Sequence, residues 1–85
     1  MQYFKIKMKL PGGGHTITWA QKVREDGDRL TFVAVDKEGM KWKAAGYQDG
    51  VPVERIHYLI GQRSDFAWIK PARMNLHYGE LELIK

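Results

Sequence analysis

Phe4, Ile6, Met8 and Leu10 alternate with Lys5, Lys7 and Lys9 at the start of the chain. This is the two-residue period of a strand with one buried and one wet face. Pro11-Gly12-Gly13-Gly14 breaks the run. From His15 to Val23 the period returns, with Ile17, Trp19 and Val23 on one side and Thr16, Thr18 and Lys22 on the other. The threonines and β-branched residues suit a second strand. An Asp-Gly pair within Glu25-Asp26-Gly27-Asp28 marks a hairpin. Arg29 to Asp36 then reads as a third strand, apolar on both sides through Leu30, Phe32 and Ala34 against Val33 and Val35, and therefore central.

Asp36-Lys37-Glu38-Gly39 reads as a turn, after which Met40, Trp42 and Ala44 alternate with Lys41 and Lys43 as a fourth strand. Gly46 to Pro52 reads as a loop. Val53 to Ile60 fits two templates: a helix capped by Asp49 and stopped by Gly61, or a strand, which its β-branched and aromatic residues favour. Phe66 to Ile69 is a short run stopped by Pro71, and Leu81 to Ile84 a final strand. Together these predict one all-β domain over residues 1–85. Its architecture is expected to be a small antiparallel barrel or curled meander sheet, SH3-like or OB-like. Closure would pair Glu80 to Ile84 with the first strand and shield its edge. The alternative is a four-stranded sheet with one short helix near 52–60.

Composition narrows the function classes. The chain has 85 residues, no cysteine and a formal net charge of +4, so neither a disulfide framework nor a thiolate zinc site supports it. Uncharged stretches fall far short of the roughly 18 apolar residues of a membrane span. A soluble, cytoplasmic protein without a membrane partner or cofactor is the expectation. The charge is unevenly placed: residues 1–43 carry nine basic side chains and five acidic ones, whereas residues 44–85 carry five of each. No acid precedes Glu25.

The candidate chemistry follows from that bias. On a strand, Lys5, Lys7 and Lys9 emerge from one face about 6.6 Å apart, a spacing similar to that of successive phosphates in a single nucleic-acid strand. Extended by Arg24, Lys41 and Lys43, they form the candidate nucleic-acid-binding set. The competing account is that lysines on an edge strand block aggregation. Alternation sends Trp19 (with Ile17 and Val23) and Trp42 (with Met40 and Ala44) inward, away from the lysines. Phe66 and Trp68 share strand spacing with Lys70 and are the candidate aromatic patch for a protein partner, such as an acidic surface. An unpaired sheet edge would serve strand addition or a homodimer.

Other motifs are weaker. The glycine run lacks the Gly-Lys-Ser/Thr ending and following helix of a phosphate loop. His15, His57 and His77 are too widely spaced for a local metal motif, and metal-free histidine chemistry on RNA stands third. The aromatic fingerprints of cold-shock domains and RRMs are absent. The expectation is a non-catalytic domain binding nucleic acid, with a protein-interaction module as the alternative.

Overall fold

The computed structural model describes residues 2–85. Eight strands follow in chain order: β1 (Tyr3–Lys9), β2 (His15–Asp26), β3 (Arg29–Val35), β4 (Lys43–Gln48), β5 (Val51–Ile56), β6 (Tyr58–Gln62), β7 (Phe66–Asn75) and β8 (Glu80–Leu83). A 3₁₀ turn, Arg63–Asp65, links β6 to β7. Six strands form an antiparallel sheet in the order β6-β3-β2-β1-β7-β8, and β4 and β5 form a separate two-stranded hairpin. The stretch near 52–60 is therefore strand rather than helix, divided at His57 between β5 and β6.

The sheet curls without closing into a barrel. Its last strand pairs with β7, not with β1, which corrects the closure expected from sequence. β1 accordingly lies inside the sheet, between β2 and β7. On one face, Ile6, Ala20, Leu30, Phe32, Ala34, Leu59 and Phe66 bury one another, with Phe4, Met8 and Ile69 packed against them. The curl brings the Phe66 ring of β7 to 5.3 Å from the Phe32 ring of β3, across the two strands between them. Phe4 meets Phe32 edge-on at 5.9 Å. On the opposite face a smaller cluster joins Val33, Val35 and Leu81 to Tyr3, Trp19 and Met74. Both faces of β3 are thus buried, as its double apolar pattern predicts.

Asp26 pairs with Arg29 across Gly27-Asp28, with φ +59° at Gly27 only, the two-residue loop that a leading glycine favours. Asp49-Gly50, expected within a loop, makes a second such turn with positive φ at both positions, and residues 46–52 continue β4 and β5 on either side. Strand β7 runs through Pro71 instead of stopping there. The Pro71 carbonyl accepts from the Ile84 N–H at 3.0 Å, so its missing N–H also points toward the β8 side, past the end of β8, and the β1–β7 ladder loses no bond.

The hairpin of β4 and β5 is rooted where the Trp42 N–H donates to Ala34, the His57 N–H to Trp42 and the Ala34 N–H to His57. Beyond that root it stands off the sheet. The radius of gyration, 14.0 Å, exceeds the roughly 12 Å of a compact chain this long. Trp42 is consequently 52% exposed instead of core: the strand expected to bury it begins only at Lys43.

Candidate nucleic-acid interface

Pairing across β2, β1 and β7 determines which side chains share a surface, because residues directly opposite point to the same face. Lys5 lies opposite Trp19 on β2 and Lys70 on β7. Lys7 lies opposite Ile17 and Trp68, and Lys9 opposite His15. Lys41 forms an isolated bridge with Val35, which pairs with Trp19. One row across the sheet therefore reads Lys41, Val35, Trp19, Lys5, Lys70, and the next reads Ile17, Lys7, Trp68. Lys5, Lys7 and Lys70 share this face with Trp19 and Trp68, while Lys41 lies beyond Val35, which is buried in the smaller cluster.

Trp19 was expected to turn away from the lysines. The correction lies in the β1–β2 connection. Leu10 belongs to the loop, its N–H bonded to Gly14 and its carbonyl to Gly13, so pairing starts at Lys9 and His15. Counting Leu10 in the strand would shift the register by one residue, which reverses every side chain.

Phe66 and Trp68 do not form a shared patch. Met8 pairs with Phe66 while Lys7 pairs with Trp68, so Ala67 is an extra residue in β7. This bulge sends Phe66 into the core, 8% exposed, and leaves Trp68 half-buried on the lysine face. A second bulge at Val23 separates the Lys22–Phe32 pair from the Arg24–Thr31 pair. It places Val23 in solvent, on neither expected side, and Arg24 on the same face as Trp19.

The electrostatics single out the patch. Among the described residues, ion pairs engage Lys22, Arg24, Lys37, Lys43, Arg63 and Arg73, and none reaches Lys5, Lys7, Lys9, Lys41 or Lys70. Lys43 pairs with Glu54 within the hairpin at 3.2 Å, and Arg24 lies 3.7 Å from Asp26, so these two members of the expected set are already partnered. Two of these lysines have rings instead of carboxylates. The Lys5 ammonium lies 5.0 Å from the Trp19 ring centroid, and that of Lys70 lies 4.6 Å from Trp68. Lys70 and Trp68 are the residues that sequence reading left out of the basic site, since only the β1–β7 pairing brings them to Lys5 and Lys7.

The other candidate chemistry is dispersed. His15 starts β2, His57 sits at the hairpin root and His77 in the β7–β8 turn. Among the described residues no group of three His, Cys, Asp or Glu side chains is arranged to hold a metal, and no helix is long and apolar enough to cross a membrane. A groove of about 560 Å³ beside the β2–β3 turn is lined by Asp26, Asp28 and Asp65 together with Arg29. Its carboxylates oppose a polyanion. Comparison with protein-family models, curated proteins and solved structures returns no match.

Proposed function

We propose that the chain is a non-catalytic, sequence-tolerant nucleic-acid-binding domain, an open counterpart of SH3-like and OB-like modules, working through the exposed face of β2, β1 and β7. One observation carries this reading: Lys5, Lys7, Lys9 and Lys70 gather on one face without a carboxylate partner, interleaved with Trp19 and Trp68. Cations that follow a phosphate chain, together with aromatic rings among them, are what sequence-independent binding of a strand requires. The competing account, lysines protecting a sheet edge, loses its premise because the edges of the sheet are β6 and β8. Lys5 and Lys70 stand directly opposite each other, a position where an opposite-charge pair would serve the fold better. Within the expected set, Lys41 keeps its role at the end of the row, whereas Arg24 and Lys43 give way to Lys70.

The test is titration of labelled single- and double-stranded DNA and RNA at two salt concentrations. Affinity should fall steeply as salt rises, and replacing Lys5, Lys7 and Lys9 together with Glu should abolish binding while the circular dichroism of the fold is retained. No binding at low salt, or wild-type binding by the triple variant, refutes the reading.

A second reading is a protein-interaction module, favoured by the free-standing hairpin. Trp42, Tyr47 and Val51 are 52%, 78% and 62% exposed there, and its outer strand edges are open to strand addition from a partner protein. A stoichiometric partner that survives nuclease treatment and is lost on Trp42→Ser supports this alternative.

A further inference from the structure

Given the nucleic-acid reading, on which this step rests, we infer that the ligand is a single strand, DNA or RNA, whose bases stack on Trp68 and Trp19 while its phosphates engage Lys5, Lys7 and Lys70. Bases in a duplex offer only their edges to a protein, since their π-faces are covered by neighbouring pairs. Single-strand binders use aromatic rings because every unpaired base has a free face. Trp19 and Trp68 are both half-buried, Trp19 against the smaller core cluster and Trp68 outside both clusters. A duplex would leave both rings without a partner.

Shape gives the same answer. The major groove admits a helix or a two-stranded ribbon, but here the lysines rise from an interior strand flanked on both sides. Strands β2, β1 and β7 themselves carry no projecting element. A single strand can instead lie flat across the rows. Trp19 and Trp68 are separated by two strand spacings across the sheet and one two-residue step along it, about 12 Å, with Lys5 and Lys7 between them.

Each ring is already covered in the free protein by an ammonium, Lys5 on Trp19 and Lys70 on Trp68. Binding is therefore an exchange in which the base takes the ring and the ammonium swings to a phosphate. A surface cation–π contact is worth about 2- to 5-fold in an equilibrium constant. A base–aromatic stack is worth about 5- to 150-fold, and the displaced ammonium gains a phosphate. The exchange favours the bound state. In the free state the same contacts hold each ammonium beside its ring.

Three labelled probes test this on the whole chain: oligothymidylate of about 12 nucleotides, the abasic phosphodeoxyribose chain of the same length, and the corresponding duplex. Oligothymidylate is expected to bind more tightly than the other two and to quench tryptophan emission, with the quench retained in Trp42→Phe. Trp68→Ala should weaken oligothymidylate binding about 5- to 150-fold and leave the abasic chain unaffected. Trp68 belongs to neither core cluster, and the quench in unmodified protein gives a readout independent of any variant. If the duplex and the abasic chain bind as well as oligothymidylate, with no quench, the single-strand inference fails while nucleic-acid binding stands. If no probe binds, or if Glu at positions 5, 7 and 9 changes nothing, both fail.

Discussion

Lys70→Glu should separate binding from folding. Lys70 and Lys5 are opposite each other, but Lys5 leans toward Trp19 on β2 while Lys70 stays over Trp68 on its own strand. The two charges therefore part to about two strand spacings, or ~10 Å. At that distance their repulsion in water is about 0.4 kcal/mol, and physiological salt reduces it to ~0.1 kcal/mol. Glutamate at this position gains a cross-strand attraction to Lys5 of about 0.2–1 kcal/mol and forfeits a ring contact of about 0.5–1 kcal/mol. The balance is near zero and at most about 0.8 kcal/mol either way, so the Tm should move by no more than about 3–6 °C. Binding behaves differently. If Lys5, Lys7, Lys9 and Lys70 each neutralise a phosphate of a single strand, log K should fall against log salt with a slope of about −2.8, a loss of roughly 50-fold between 50 and 200 mM. With Lys70 removed from that set the slope should relax to about −2.1, or roughly 18-fold. Fluorescence anisotropy at four salt concentrations, with thermal melts of the same samples, measures both quantities. An unchanged slope alongside an unchanged Tm would show that Lys70 touches no phosphate and would refute its place in the site.

Three further predictions concern the scaffold. Gly39 has φ +82°, and a Cβ there would meet the Met74 Cε at 2.8 Å and the Tyr3 hydroxyl at 3.3 Å. Gly39→Ala should therefore cost at least about 1–2 kcal/mol, seen as a lower Tm in a thermal melt, and a Tm equal to wild type would contradict the strain. Phe32, 1% exposed and touching the rings of Phe4 and Phe66, should cost about 3–5 kcal/mol as Phe32→Ala. That is comparable with the whole stability of a domain this size, about 4–13 kcal/mol, and near-ultraviolet circular dichroism should show tertiary structure largely lost. Hydrogen bonds from Asn75 and then Arg73 hold the Glu82 carboxyl below the usual carboxylate range. Because the folded pKa is depressed, the β7–β8 clasp should contribute fully above the ordinary carboxylate pKa and weaken as pH falls through the folded value. Asn75→Ala should return the Glu82 titration, followed by NMR, toward the ordinary range.

The strands of the first half were legible because their alternation is strict and their turns carry glycine at the required positions. β1 and β3 follow from the period and the turn at Asp26-Gly27 from its Asp-Gly pair, while β2 follows from the period only as far as Val23, where the bulge hides its continuation to Asp26. The same Asp-Gly signal at Asp49-Gly50 was available, but Tyr47, Gln48, Val51 and Pro52 do not alternate as a buried strand does, since the hairpin they form has no core to face. Face membership was harder to read than strand existence. Alternation tells which residues of one strand share a side, but the partner strand's matching side depends on the loop between them. With Leu10 in the β1–β2 loop the pairing joins odd positions to odd and gives Lys5 to Trp19; one loop residue fewer, with Leu10 opposite His15, would set Lys5 against Ala20 and Lys7 against Thr18. The role of Lys70 was out of reach for a stronger reason. It depends on pairing between segments more than sixty residues apart, and no local pattern encodes that.

The two bulges show how a single sheet meets both demands. A strand buried on one face and wet on the other must keep its period, yet β7 has to deliver Phe66 to the Phe32 ring and Trp68 to the opposite surface beside Lys7. Two residues of equal parity cannot do this in a regular strand. The extra residue Ala67 reverses the parity between them, and one irregularity completes the core and supplies the site with its second ring. At Val23 the same device keeps Lys22 over the Phe4 ring at 5.8 Å on the core face while turning Arg24 to the other. The lysine face therefore rests on register, and its most sensitive points are the two bulges and the Leu10 loop, where one residue more or less exchanges a wet face for a buried one.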